Sequence, residues 1–328
     1  MKFIMHLTIQ NIKRRRVRTI LTLLGVMIGV VAAVVSLLSL GMGVKRELLQ
    51  GYGDDASIRQ ITVQTPENNQ NKKMLLTDHT IEKLAKLDKV ANVYPRYEVF
   101  TNIQVGQYTA YTNLVGIPSE QLSAIALTDT SSLSEHARKP ELVIGNAMGY
   151  MFFHEGSMTS YQDGKGDLNA WIGEKAKVSL GLDENEITDR LTIAGVMQGD
   201  ADEFSEQSQS IYCDIDVLRA YLKKHAAQGN VLGQPLDKNG NAYTSWVYSS
   251  VVVEVGKMED VEFVVKKLQD MGYQTTNMKE YRDTAMRTVR MLELLLGGIG
   301  LISFLVAAIG ISNTMTTAVY DRVAEIGP

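Results

Sequence analysis

The sequence predicts two helical membrane spans flanking a large α+β extracytoplasmic domain. Three observations carry that reading. Thr19–Val44 and Leu294–Tyr320 contain no charged residue, and at about 1.5 Å per residue each is long enough as a helix to cross a hydrocarbon layer of about 30 Å. The segment between them is polar and alternates strand-like with helix-like spacing. The basic residues collect before the first apolar run: Lys2, Lys13, Arg14, Arg15, Arg16 and Arg18 face no acid within residues 1–44, although the whole chain has a formal net charge of −4. The 21% charged composition resembles that of a soluble protein only because the middle dilutes the apolar ends.

Residues 1–18 form the cytoplasmic, interfacial end. Lys2, His6, Gln10 and Lys13 make a polar strip with Ile4, Met5, Ile9 and Ile12 largely opposite, as in a helix lying on a bilayer. A basic run abutting an apolar stretch is a topology signal, placing the N-terminus in the cytoplasm near anionic lipid and excluding a nucleic-acid partner. Lys45, Arg46, Arg287 and Arg290 flank the other ends of the two runs, but Lys13–Arg18 outweighs them. Residues 19–44 are the first span. This run far exceeds the core of a cleavable signal and lacks a small-residue cleavage site, so it reads as an uncleaved anchor. Gly25 and Gly29 form a GxxxG pair, a surface for close helix approach.

Residues 45–277 are the outer domain. Ile58–Thr65 alternates apolar and polar residues as a strand does, and Asp78–Leu87 has helical spacing behind a Thr77/Asp78 cap signal. Strands follow at Val93–Val105 and Tyr108–Ile117. Val251–Val255 is a β-branched strand, Met258–Met271 a helix stopped by Gly272, and Tyr273–Thr276 a last extended piece. The two ends therefore resemble β-α-β units that pair into one sheet with helices on one face. Between them lies an insertion, about 120–245, with strands at Glu141–Ile144, Lys177–Leu180 and Leu191–Val196 and a Gly- and Asn-rich segment, Gln228–Asn241, expected to be a mobile loop.

Residues 278–293 continue as a stalk helix without a break into the second span, residues 294–318. Small residues at Gly297, Gly298 and Gly310 give that span helix-packing surfaces. Residues 319–328 begin a cytoplasmic segment.

Catalytic signatures are absent. No GxxxxGK[ST] phosphate loop occurs, His154-Glu155 lacks the second histidine of HExxH because position 158 is Met, and no GxSxG elbow appears. The single cysteine, Cys213, excludes an internal disulfide and sits in a strand-like apolar context. The acids of Asp200–Glu206 lack the ligand order of a calcium loop and read as solvated. No cofactor, metal site or catalytic residue is expected.

Asn11-Ile12, Arg14–Arg18-Thr19 and Leu21-Thr22-Leu23-Leu24-Gly25-Val26-Met27-Ile28-Gly29 resemble the opening of ABC-transporter permeases of the MacB/FtsX type. Independently, Leu296–Ile299, Leu305–Met315 and Asp321-Arg322-Val323-Ala324-Glu325-Ile326-Gly327 are similar to that family's second span and the turn after it. Glu141–Asn146 resembles a motif of its extracytoplasmic domain. The resemblance implies a non-enzymatic permease subunit in the cell membrane, with a separate ABC ATPase subunit and a second permease chain, identical or different, as partners within the lipid bilayer. It implies that Asp321, Arg322, Val323, Glu325, Ile326 and Gly327 form a coupling helix docking in a groove of the ATPase. Cargo would be a peptide, an antibiotic or a lipid-linked compound, or the output mechanical. This chain departs from the family pattern at Asp321 and Ala324 and ends at Pro328, where family members continue through two more spans, so a truncated permease is expected. The alternative is a two-span sensor or adaptor with an extracytoplasmic ligand-binding domain.

Overall fold

The computed structural model describes residues 55–66, 74–134, 136–157, 159–181, 186–202, 204–226, 230–237 and 240–326, with 35, 39 and 41–43. The chain divides into two compact units, Gln50–Tyr281 and Met1–Leu49 with Arg282–Pro328. In order, the elements are α1 (Asp55–Ile58), β1 (Gln60–Gln64), α2 (Asp78–Ala85), β2 (Val90–Val105), β3 (Tyr108–Ile117), α3 (Ser119–Ala124), β4 (Leu142–Ile144) and β5 (Phe153–His154). Then come β6 (Lys175–Leu180), β7 (Ile187–Val196), β8 (Ile211–Asp214), α4 (Ile215–Lys224), β9 (Ser250–Val255), α5 (Val261–Asp270), β10 (Gln274–Asn277) and α6 (Met278–Ile326).

The two β-α-β ends interleave in one antiparallel sheet of order β10-β1-β9-β2. This is the split β-α-β arrangement, in which neither end closes a sheet alone. Alternation decides which face is covered. Ile61 and Val63 of β1 and Val251, Val253 and Val255 of β9 are buried against Leu84 of α2 and Val264 and Leu268 of α5. Each such aliphatic side chain contributes about 1.5–3 kcal/mol relative to exposure. The strand expected from Ile58 starts later because 55–58 form a helical turn, and the helix expected from Met258 opens with a 3-10 turn, Met258–Asp260.

The other half of the outer domain is a closed barrel. The second half of β2 pairs with β3 on one side and with β6 on the other, and the circuit runs β2-β6-β7-β4-β8-β3 back to β2. Closure removes free edges, and β5 adds a short pairing to β3. Ile103, Leu114, Val178, Leu191, Leu142, Ile144, Ile211 and Cys213 are buried in the interior cluster, with the side chain of Cys213 wholly inaccessible. Gly116 lets α4 close on β3: a Cβ there would stand 3.0 Å from Leu218 and 3.2 Å from the backbone of Ile215. The barrel thus uses Tyr97–Ile117 as well as strands of the expected insertion. On its outside, Val115, Ile117, Leu122, Val143 and Tyr212 form a second, smaller cluster.

Two residues of the segment Gln228–Asn241 are hydrogen-bonded to the rest of the domain. Gln234 both donates to Val247 O and accepts from Val247 N at 2.9 Å, and the Tyr97 hydroxyl donates to Leu232 O at 2.7 Å.

Among the described residues one helix, α6, is long and apolar enough to cross a membrane, over Met278–Asn313. Its side chains Leu294, Leu295, Ile299, Leu301, Ile302 and Ile309 are exposed within the chain, as a lipid-facing helix requires. Most of the first apolar stretch, including Gly25 and Gly29, lies outside the described residues. Gly41, at its far end, approaches α6: a Cβ there would stand 3.6 Å from Glu293.

Candidate functional site

A cleft of about 600 Å³ opens between the uncovered face of the split β-α-β sheet and the outside of the barrel. Period-two alternation builds the sheet wall. The residues adjacent to the buried Ile61, Val251 and Val253 point the other way, so Gln60, Thr62, Tyr94, Arg96, Glu254 and Thr276 face the cleft. The opposite wall is α3, the segment after it, and the loop Ser205–Ser208.

That loop is held by the motif Glu141–Asn146. β4 delivers Gly145 against the Ser208 backbone so closely that a Cβ would stand 2.2 Å from Ser208 O, and only glycine fits. Gly145 N donates to Ser210 O at 3.0 Å and Ala147 N to Ser208 O at 3.0 Å. The Asn146 amide, itself buried, donates to Asp200 O at 2.6 Å. The motif is therefore a backbone clamp that fixes one wall of the cleft.

Across the cleft, Arg96 Nη1 donates to Glu206 Oε1 at 2.7 Å, joining the sheet to the loop. Arg96 Nε is buried with no hydrogen-bond partner, 4.0 Å from Glu98. Burial pulls the guanidinium pKa down, but the carboxylates of Glu206 and Glu98, with the hydrogen bond to Glu206, oppose it and the net shift is upward. Burial raises Tyr94 and pushes Tyr212 up to about 12, so both stay neutral at physiological pH. Glu254 accepts from Gln60 Nε2 at 3.0 Å and Asn92 Nδ2 at 3.3 Å.

The cleft touches the root of α6 through Thr276, Asn277 and Met278. Asn277 caps that helix, its Oδ1 accepting from Glu280 N at 2.8 Å. Lys279 bridges to Glu262 of α5.

Of the residues singled out from the sequence, Asp321, Arg322, Val323, Glu325 and Ile326 fall in the last turns of α6, while Gly327 lies outside the described residues. A Cβ at Gly297, Gly298 or Gly310 would meet nothing within 4 Å among the described residues. None of these residues lines the cleft. Among the described residues no group of three or more His, Cys, Asp or Glu side chains is placed to hold a metal. In the acidic loop, Asp202 accepts from the Tyr150 hydroxyl and Glu206 is committed to Arg96. Sequence reasoning missed the cleft. Gln60, Thr62, Tyr94 and Arg96 carry the polar half of an alternating pattern, which reads as solvent-facing unless the barrel's position is known.

The model of the MacB-like periplasmic core domain matches residues 19–271. The chain is 25% identical over 335 residues to the macrolide export ATP-binding/permease protein MacB of Bartonella henselae, covering 99% of this chain and 45% of that protein. It is also 25% identical over 336 residues to the protein of the same description in Escherichia coli, covering 95% and 44%. The chain thus spans somewhat under half the length of these relatives. Among solved structures, the periplasmic region of MacB from Actinobacillus actinomycetemcomitans aligns with a TM-score of 0.39 at 13% identity, covering 70% of this chain and 93% of that one. The extracellular domain of the noncanonical ABC-type transporter YknZ from Gram-positive bacteria aligns at 0.36 and 15%, covering 66% and 98%. With the family model matched over residues 19–271, most of its length, this chain belongs to the MacB-like periplasmic core domain family.

Proposed function

We propose that this chain is the membrane-and-outer-domain part of an ABC transporter and that it relays the work of an ATPase rather than performing chemistry. ATP is hydrolysed in a separate ATP-binding subunit. The last turns of α6 with the residue after them, Asp321, Arg322, Val323, Glu325, Ile326 and Gly327, dock in a groove of that subunit, charged side chains reading its rim and Val323 and Ile326 its floor. A second permease chain packs across the bilayer through the small residues of the spans, Gly25, Gly29, Gly297, Gly298 and Gly310. The N-terminus is cytoplasmic and the unit Gln50–Tyr281 extracytoplasmic. Residues 19–44 and 294–318 are the spans and 278–293 the stalk. The output is export of a peptide, an antibiotic or a lipid-linked compound, or mechanical control of an envelope partner.

The observation that carries this reading is α6. It is one helix from Met278, beside the cleft, to Ile326, and it contains the candidate span. A helix is a stiff element, so displacement at its cytoplasmic end acts on its capped root without a loop to absorb it.

The test is copurification with an ABC ATPase expressed in the same cells. The double charge reversal Arg322→Glu with Glu325→Arg should abolish it while the chain stays in the membrane. ATPase binding retained after deletion of Tyr320–Pro328 would sink the docking claim.

A further inference from the structure

We propose that the cleft is a binding site for an extended peptide segment bearing a basic side chain, with Glu254 as the residue that receives the cation. The strand register orders the sheet wall. Asn92 lies opposite Glu254 and Arg96 opposite Ser250, so Glu254 and Arg96 stand at two ends of the wall, about 13 Å apart at about 3.3 Å per residue. The cleft's charged lining is Arg96, Glu206 and Glu254. Arg96 and Glu206 are paired at 2.7 Å, which leaves Glu254 as the uncompensated charge. Its carboxylate is half-buried and oriented by two neutral amides, Gln60 and Asn92, with no cation within ion-pair distance among the described residues. Lys279, on the adjoining helix, is committed to Glu262.

A half-buried carboxylate held in place without a counter-ion is a receptor for an ammonium or guanidinium group, and charge-assisted hydrogen bonds of this kind are the strong ones. The rest of the lining selects the company that cation keeps. The side-chain amides of Gln121, Gln198 and Gln207 line the wall opposite the sheet with no hydrogen-bond partner among the described residues. Each offers a donor and an acceptor, the complement of a peptide group. The volume, about 600 Å³, lies within the range of pockets that enclose a drug-sized ligand, and the ligand would lie against Thr276 and Met278 at the root of α6.

The experiment uses the full chain in nanodiscs of zwitterionic phosphatidylcholine, so that the lipid offers no anionic surface. Calorimetry compares three five-residue Gly/Ser peptides with blocked termini and a central Lys, norleucine or Glu. The lysine peptide should bind at least about tenfold more tightly than the other two, the loss expected for one charge-assisted hydrogen bond. Glu254→Gln should remove that preference with the unfolding temperature unchanged. Asn92→Lys, which places an internal cation beside an intact Glu254, should remove it as well. Equal binding of the three peptides, no binding of any, or a lysine preference that survives both variants would overturn the proposal. The measurement needs neither nucleotide nor ATPase, so its failure leaves the permease reading standing, and failure of that reading leaves the binding result standing.

Discussion

Asn277 ties the outer sheet to the long helix through one residue. Its backbone pairs with Ile61 at the edge of the sheet, and its side-chain oxygen accepts from Glu280 N at 2.8 Å, capping α6. No loop separates strand β10 from helix α6. The side chain is almost fully buried, 6% exposed, so water is a poor substitute for the cap.

Asn277→Ala should therefore cost about 1 kcal/mol, the usual loss for an N-cap, and loosen the first turn of α6 specifically. Hydrogen exchange of residues 279–281 should quicken while that of β9 stays slow. Uniform exchange across both elements would contradict the assignment of the cap.

Gly145→Ala should be far more harmful than an ordinary surface change. The added Cβ would stand 2.2 Å from Ser208 O and 2.6 Å from its carbonyl carbon, both backbone, which cannot rotate away. We expect a loss of about 2–3 kcal/mol, read as a lowered unfolding temperature. Gly240→Ala is not a matched control, since its φ of +77° is itself left-handed. Gly256→Ala is: nothing lies within 4 Å of its Cβ and its backbone is not left-handed, and it should be nearly silent.

Val251–Val255 and the spacing of Val261, Val264 and Leu268 announce a strand and a helix because burial on one face leaves a periodic trace, and both elements stand there. Glu141–Asn146 was visible as a motif, but its role as a clamp was not, since the partner backbone at Ser208 is distant in sequence. The barrel was hidden for a related reason. β2 is one strand of 16 residues that changes partners midway, from β9 to β3 and β6, and the alternation it shows from Tyr97 to Val105 names neither partner. Arg96 and Glu254 sit on the polar side of that alternation, so the cleft has no one-dimensional signature. Gly25 and Gly29, legible as a packing motif, lie outside the described residues.

Acid stability offers a third test. Asp189 accepts from Lys139 at 2.6 and 2.9 Å, from Arg190 N at 2.7 Å and from the Tyr221 hydroxyl at 2.9 Å, linking β7 to α4. The Lys139 hydrogen bond, helped by the other donors against partial burial, holds its carboxyl down at about 2 against an ordinary 3.8. A depressed folded pKa gives stability that is fully present above about pH 4 and is lost as pH falls toward 2. Lys139 is half in solvent, so screening limits the contribution to about 1 kcal/mol. Asp189→Asn should remove that part of the acid transition and lower stability at neutral pH by a similar amount. An unchanged acid limb would contradict the assignment.

If α6 is the relay proposed above, ATPase action at its far end reaches the cleft at its root. Spin labels at Glu120→Cys on α3 and Thr276→Cys on β10, both exposed, report the distance between the two walls, and the natural Cys213 is buried beyond labelling. In the chain reconstituted with its ATPase, pulsed electron resonance should show this distance distribution shift on ATP, and not when Arg322→Glu with Glu325→Arg uncouples the partners. An identical distribution with and without ATP, in a complex that hydrolyses it, would rule out a relay through α6.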